Sequence, residues 1–170
     1  MARTKVVVNT KSFEKAFMGV REEVKREIQN SLGEELVKKM KDLVSKGISP
    51  IEGHGRFPAY KSSTKEKKRY PDTVKGKFPS KRRRPVNLGL TGQFLNHLSY
   101  ILDFAQDKFG IRLGFFDEES IQKEKGHREQ ANGQAFRPII PKGKEKLSKA
   151  VYMEAMRIIK SAIKKYYGKF

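Results

Sequence analysis

Few residues in this chain could do acid–base or metal chemistry. The three histidines, His54, His97 and His127, stand far apart in the sequence, and none has a second histidine or a cysteine at metal-ligand spacing. A hydrolytic pair drawn from Asp117, Glu118 and Glu119 has no support beyond composition. No GKS or GKT sequence is present to cradle a phosphate. With no cysteine in 170 residues, zinc–thiolate sites, disulfides and thiol nucleophiles drop out together. The reading is of a protein that is not an enzyme, with no catalytic residues, no metal and no cofactor.

The chemistry the sequence does offer is electrostatic. From Arg56 to Arg84 there are twelve Lys or Arg, opposed only by Glu66 and Asp72, a local charge of +10 within a chain of +19. Charge so concentrated repels itself unless something negative lies beside it. Lys61, Lys65, Lys67, Lys68, Arg69, Lys81, Arg82, Arg83 and Arg84 are the candidate contacts to a partner or to phosphates. Phe57, Tyr60, Tyr70 and Phe78 are interleaved with them. Aromatics among cations can stack on bases while the cations meet phosphates, or they can pin an extended arm to a neighbouring subunit; the second is the favoured reading. Seven prolines in the chain, five of them between Pro50 and Pro85, and the lack of sustained periodicity make residues 50–87 a long loop or arm. Such a stretch is expected to be extended or mobile in the free protein. A second basic territory, Lys142–Phe170, carries nine cations against two anions.

The elements that would position these residues are legible from periodicity. Val6–Val8 suggests a short strand. Phe13, Phe17, Val20, Val24, Ile28, Leu32, Leu36, Met40 and Val44 recur at spacings of three and four, predicting a helix over about 10–46 that Gly47 and Pro50 end, with Gly33 as a possible bend. Thr91 can cap a short helical turn containing Phe94 and Leu95. Leu98–Phe104 and Phe109–Phe115 alternate and predict an antiparallel hairpin with one buried face, Gly114 marking a bulge or a close backbone approach. A short surface helix is expected from Glu118, ending near Gly126. Phe136–Pro141 is extended, since proline disfavours helix at the residue before it. Leu147, Val151, Ala155, Ile158, Ile159, Ala162, Ile163 and Tyr166 predict a last helix over about 144–167. The fold expected is α+β: a small antiparallel sheet packed by a long N-terminal and a C-terminal helix, in a single domain over 1–170. No apolar run approaches the roughly 20 residues that span a bilayer, so no membrane partner is expected.

The order of segments resembles the virion-morphogenesis and tail-completion proteins of tailed bacteriophages, which act at the head–tail joint. The residues that carry the resemblance are Tyr60–Thr64, the Pro85-Val86-Asn87-Leu88-Gly89-Leu90-Thr91-Gly92-Gln93-Phe94-Leu95-Asn96 segment, Leu113-Gly114-Phe115, Lys125-Gly126-His127, Asn132-Gly133 and Arg137-Pro138-Ile139-Ile140-Pro141. Agreement at the level of motifs is confined to about residues 85–141, and Gly133 follows His127 at a longer interval than in that family. The resemblance implies a structural neck subunit, made in the host cytoplasm and built into the virion. It implies a homo-oligomeric ring, often hexameric, between the connector or portal side and the tail tube, with packaged DNA passing nearby. The alternative reading is a basic nucleic-acid-binding protein, ribosome- or DNA-associated, supported chiefly by a pI near 10.1.

Overall fold

The computed structural model describes residues 22–58, 93–103, 110–130 and 135–167. In chain order the elements are α1 (Glu22–Ser45), α2 (Gln93–Asn96), β1 (Leu98–Asp103), β2 (Gly110–Phe115), α3 (Glu118–Glu129) and α4 (Lys149–Tyr167). The architecture is α+β, as expected: a two-stranded antiparallel sheet with helices packed on it. The expected strand at Val6–Val8, the first turns of the predicted N-terminal helix and the ends of the hairpin at Phe104 and Phe109 lie outside the described residues.

Helix α1 is the hub, touching β1, β2 and α4. Its buried stripe, Ile28, Leu32, Leu36, Met40 and Val44, repeats every four residues and so lies along one side of a 3.6-residue helix. The helix stops where Gly47 takes φ +74°. There the Gly47 N–H donates to Val44 O at 2.9 Å and the Ile48 N–H donates to Leu43 O at 2.9 Å, the paired bonds of a Schellman cap. Glycine enters that left-handed conformation without a Cβ penalty.

Helix α1 runs unbroken through Gly33. The function of that glycine is proximity: a Cβ there would sit 2.3 Å from the Tyr100 ring. The missing side chain lets β1 press an aromatic face against the helix backbone. The Tyr100 hydroxyl then donates to Asn30 Oδ1, 3.3 Å away on the same helix.

The hairpin register pairs Leu98 with Phe115, Tyr100 with Leu113 and Leu102 with Ile111. Because strand side chains alternate, these six share the inward face. Ser99, Ile101 and Arg112 share the other face. Gly114 sits in regular register opposite Ser99, not in a bulge, and a Cβ there would meet nothing within 4 Å; the expectation of a bulge or a close approach at Gly114 is therefore corrected. Phe94 of α2 closes the end of the core by stacking on Phe115, with ring centroids 4.7 Å apart and planes at 14°.

Two helix boundaries also differ from expectation. Helix α3 passes through Gly126 and ends at Glu129, with Gln130 in the left-handed conformation at φ +55°. Its last turn is held by Arg128 and His127, which face partners beyond the helix, so the glycine's weak helix preference is overridden. Helix α4 starts at Lys149, later than about 144. Leu147 is instead paired with Ile51 in an isolated β-bridge, and a turn closed by the Glu145 N–H donating to Lys142 O at 3.1 Å precedes it, so the helix cannot begin there. From Val151 the expected stripe holds: Val151, Ala155, Ile158 and Ile159 are buried against α1.

Candidate functional site

The described part of the basic stretch is its beginning. Arg56 is exposed and pairs with Ile48 in a β-bridge. Phe57 is buried in the core of its own chain, and its N–H donates to Gly47 O at 2.7 Å. Lys61, Lys65, Lys67, Lys68, Arg69, Lys81, Arg82, Arg83 and Arg84, with the aromatics Tyr60, Tyr70 and Phe78, lie outside the described residues.

What the structure does bring together is a clamp around that beginning. Residues 47–58 form a tight excursion after α1, and residues 135–148 lie across it. The Ser49 hydroxyl donates to Pro138 O at 2.9 Å, the Glu52 N–H to Lys146 O at 2.9 Å, and the Ser148 N–H to Pro50 O at 2.8 Å. Arg137 is wholly buried, at 0% exposure. Its backbone N–H donates to His127 O at 3.0 Å, and its Nε–H donates to Pro58 O at 3.2 Å. Two segments noted in the sequence, Lys125-Gly126-His127 and Arg137-Pro138-Ile139-Ile140-Pro141, thus meet beside Pro58, the last described residue of the basic stretch's beginning. Arginine suits this place because its planar fork donates in several fixed directions at once.

A second charged group backs the clamp. Arg128 donates through Nη1 to Glu145 Oε2 at 2.9 Å, through Nε to Glu124 Oε1 at 3.3 Å, and through Nη2 to Ile140 O. Glu145 also accepts from the Lys142 backbone N–H at 2.8 Å and faces His54 Nε2 at 3.4 Å. Lys142 Nζ lies 3.6 Å from Glu124. Burial alone would raise the Glu145 carboxyl, but the Lys142 N–H, the Arg128 guanidinium and His54 outweigh it and hold the group below its ordinary range. His54, expected in a loop, is in a turn and tilts against Phe136 at 5.2 Å. No single residue type marked this network in the sequence. Its only signal was the i,i+4 spacing of Glu124 and Arg128 on one helix face.

His97, Asp117 and Ser120 have the composition of a hydrolytic triad and the geometry of a helix cap. Asp117 is the N-cap of α3, its Oδ1 accepting the Ser120 N–H at 2.8 Å. His97 Nδ1 lies 3.0 Å from Ser120 Oγ and 3.2 Å from Asp117 Oδ2. Hydroxyl and carboxylate meet the same ring nitrogen, so the imidazole cannot take a proton on one side while being oriented from the other. Ser120 is also only 1% exposed. Burial pushes the Asp117 carboxyl up, while the Ser120 N–H and hydroxyl and then His97 pull it further down, to a net value below the ordinary aspartate range. Among the described residues no group of three or more His, Asp or Glu is placed to hold a metal ion, and no helix is long and apolar enough to cross a membrane.

No protein-family model, no curated protein and no solved structure matches this chain significantly.

Proposed function

We propose that this chain is a structural, non-enzymatic subunit of the head–tail joint of a tailed bacteriophage, assembling as a closed ring between the connector side and the tail tube. The observation that carries the reading is the order of its segments. A long amphipathic helix, a basic stretch, a Leu-Thr-Gly segment, a hairpin, a Lys-Gly-His segment, an Arg-Pro-Ile-Ile-Pro segment and a final amphipathic helix follow one another as in the tail-completion proteins they resemble. The clamp gives that order a physical purpose. A basic arm can transmit force between subunits only if its root is tied to a rigid body, and Arg137 ties Pro58 to the core. In this reading the stretch from Arg56 to Arg84 reaches an acidic surface of an adjacent ring, with the aromatics Tyr60, Tyr70 and Phe78 docking it.

A symmetric ring uses one heterologous contact repeated until it closes. It can require its partner ring as a template, so a monomer in solution is compatible with the proposal. The test is a reconstruction of assembled particles together with a variant carrying Arg82, Arg83 and Arg84→Ala. A ring containing this chain at the neck, and loss of joined particles in the variant, are the expected results. A single copy on the tail axis would overturn the ring. Normal yields of infectious particles from the triple variant would overturn the role of the arm.

A further inference from the structure

The net positive charge of the described residues resides in one region. Residues 22–58 carry seven cations and seven anions, the described part of 93–130 carries four and six, and residues 135–167 carry nine and two. On α4 the cations are also aligned. At 3.6 residues per turn, Lys149, Met153, Arg157, Lys160 and Lys164 fall within an arc of about 80°, running roughly 22 Å along the axis. The arc lies opposite the buried stripe of Val151, Ala155, Ile158 and Ile159, and all five residues are exposed. No acidic residue falls inside it. Glu154 lies to one side and is held by Arg157. Lys149, Lys160 and Lys164 make no ion pair with any described residue, unlike Lys25, Lys38, Lys46, Lys123 and Lys165, each of which has a carboxylate within 4 Å.

A merely solvated helix face mixes its signs. This one does not, and its cations are strung out in a line instead of ringing an apolar centre; Met153 is the one apolar side chain in the arc. A row of phosphates is the partner that offers negative charge at intervals over such a length without needing a pocket. Lysine, a compact charge on a flexible stem, suits that contact. We propose that the outward face of α4 seats the phosphate backbone of duplex nucleic acid, without base readout. This does not rest on the head–tail reading, and it concerns different residues from the basic stretch at 56–84.

The test uses the full chain and a fluorescently labelled duplex, with binding followed by anisotropy across a salt series. Replacing Lys149, Lys160 and Lys164 together by Gln removes three phosphate contacts. The slope of log K against log salt then becomes shallower by roughly 2.7, at about 0.9 per contact. The cations of the 56–84 stretch are present in both proteins, so the difference reads α4 alone. The corresponding triple Arg variant keeps the parental slope, and Met153→Lys, which fills the gap in the row, steepens it by about 0.9. Thermal melts within a degree or so of the parent, expected for exposed sites, show that the fold is intact. Equal slopes for parent and Gln variant would overturn the proposal. So would a Gln-sensitive affinity for polyglutamate beside an unchanged duplex slope, a result that assigns the face to an acidic protein.

Discussion

Replacing Gly33 with Ala sets two effects of known sign against each other. In an exposed helix, Ala is favoured over Gly by about 1 kcal/mol, because glycine loses more backbone freedom on folding. At position 33 the added Cβ would lie 2.3, 2.6 and 2.6 Å from three atoms of the Tyr100 ring, including Cγ, which moves only if the strand moves. Contact at such distances requires a displacement on the order of 1 Å, and overpacking of this kind costs about 1–3 kcal/mol. With rigid ring atoms on all three contacts the upper end applies, leaving a net loss of about 2 kcal/mol. In a chain of this size that lowers the melting temperature by roughly 4–8 °C. The decisive measurement is the double-mutant cycle in chemical denaturation. Tyr100→Ala removes the obstruction, so in that background Gly33→Ala should reverse sign and stabilise by about 1 kcal/mol. The coupling between the two sites would then be near 3 kcal/mol. If Ala at 33 destabilises equally with and without the tyrosine ring, the close approach is not what glycine provides there.

Three further outcomes follow from the same structure. Phe115→Asp places a carboxylate in the stack with Phe94 and should abolish the cooperative melt, since the penalty of several kcal/mol rivals a typical domain's total stability; a melt like the parent's would mean that this sheet face is not core. Arg137→Lys loses the Nε–H that reaches Pro58 O and should cost about 1–3 kcal/mol while keeping the charge; an unchanged denaturation midpoint would show that the charge alone suffices. The Glu145 carboxyl titrates below its ordinary range in the folded chain, so its contribution is present above the unfolded-state value and is lost as pH falls through the folded one. Glu145→Gln should therefore flatten the acid side of the stability–pH curve, and identical acid limbs for the two proteins would refute the assignment.

Much of the fold was legible because periodicity reports burial. The α1 stripe, the alternating hairpin and the α4 stripe each show one apolar face at the period of their backbone. Gly47 was legible as a stop because the left-handed cap needs a residue without a Cβ. Three features were not. The close approach at Gly33 is not legible in one dimension, since the ring that occupies its space is 67 positions away in the sequence. The early start assigned to α4 failed because Leu147 fits a helical stripe as well as it fits the bridge to Ile51, and tertiary pairing decides between them. The clamp was invisible because an arginine reads as surface. Arg137 is buried where its side chain meets the Pro58 carbonyl and its backbone N–H meets that of His127, and no local pattern encodes contacts so distant in sequence.

The central place of α1 also bears on how the chain can fold during synthesis. The helix is made before the elements that cover its apolar stripe, the hairpin around residue 100 and α4. The clamp bonds likewise join residues 79 and 89 positions apart. High contact order of this kind slows folding, because loop closure is charged before the contacts that reward it exist. Nascent chains therefore carry an uncovered hydrophobic ridge until α4 has been made, the state in which chaperones bind and aggregation begins. A chain stopped short of α4 should accumulate as a chaperone-bound or insoluble species, and production at lower temperature or with slower initiation should favour the full-length protein over its aggregates.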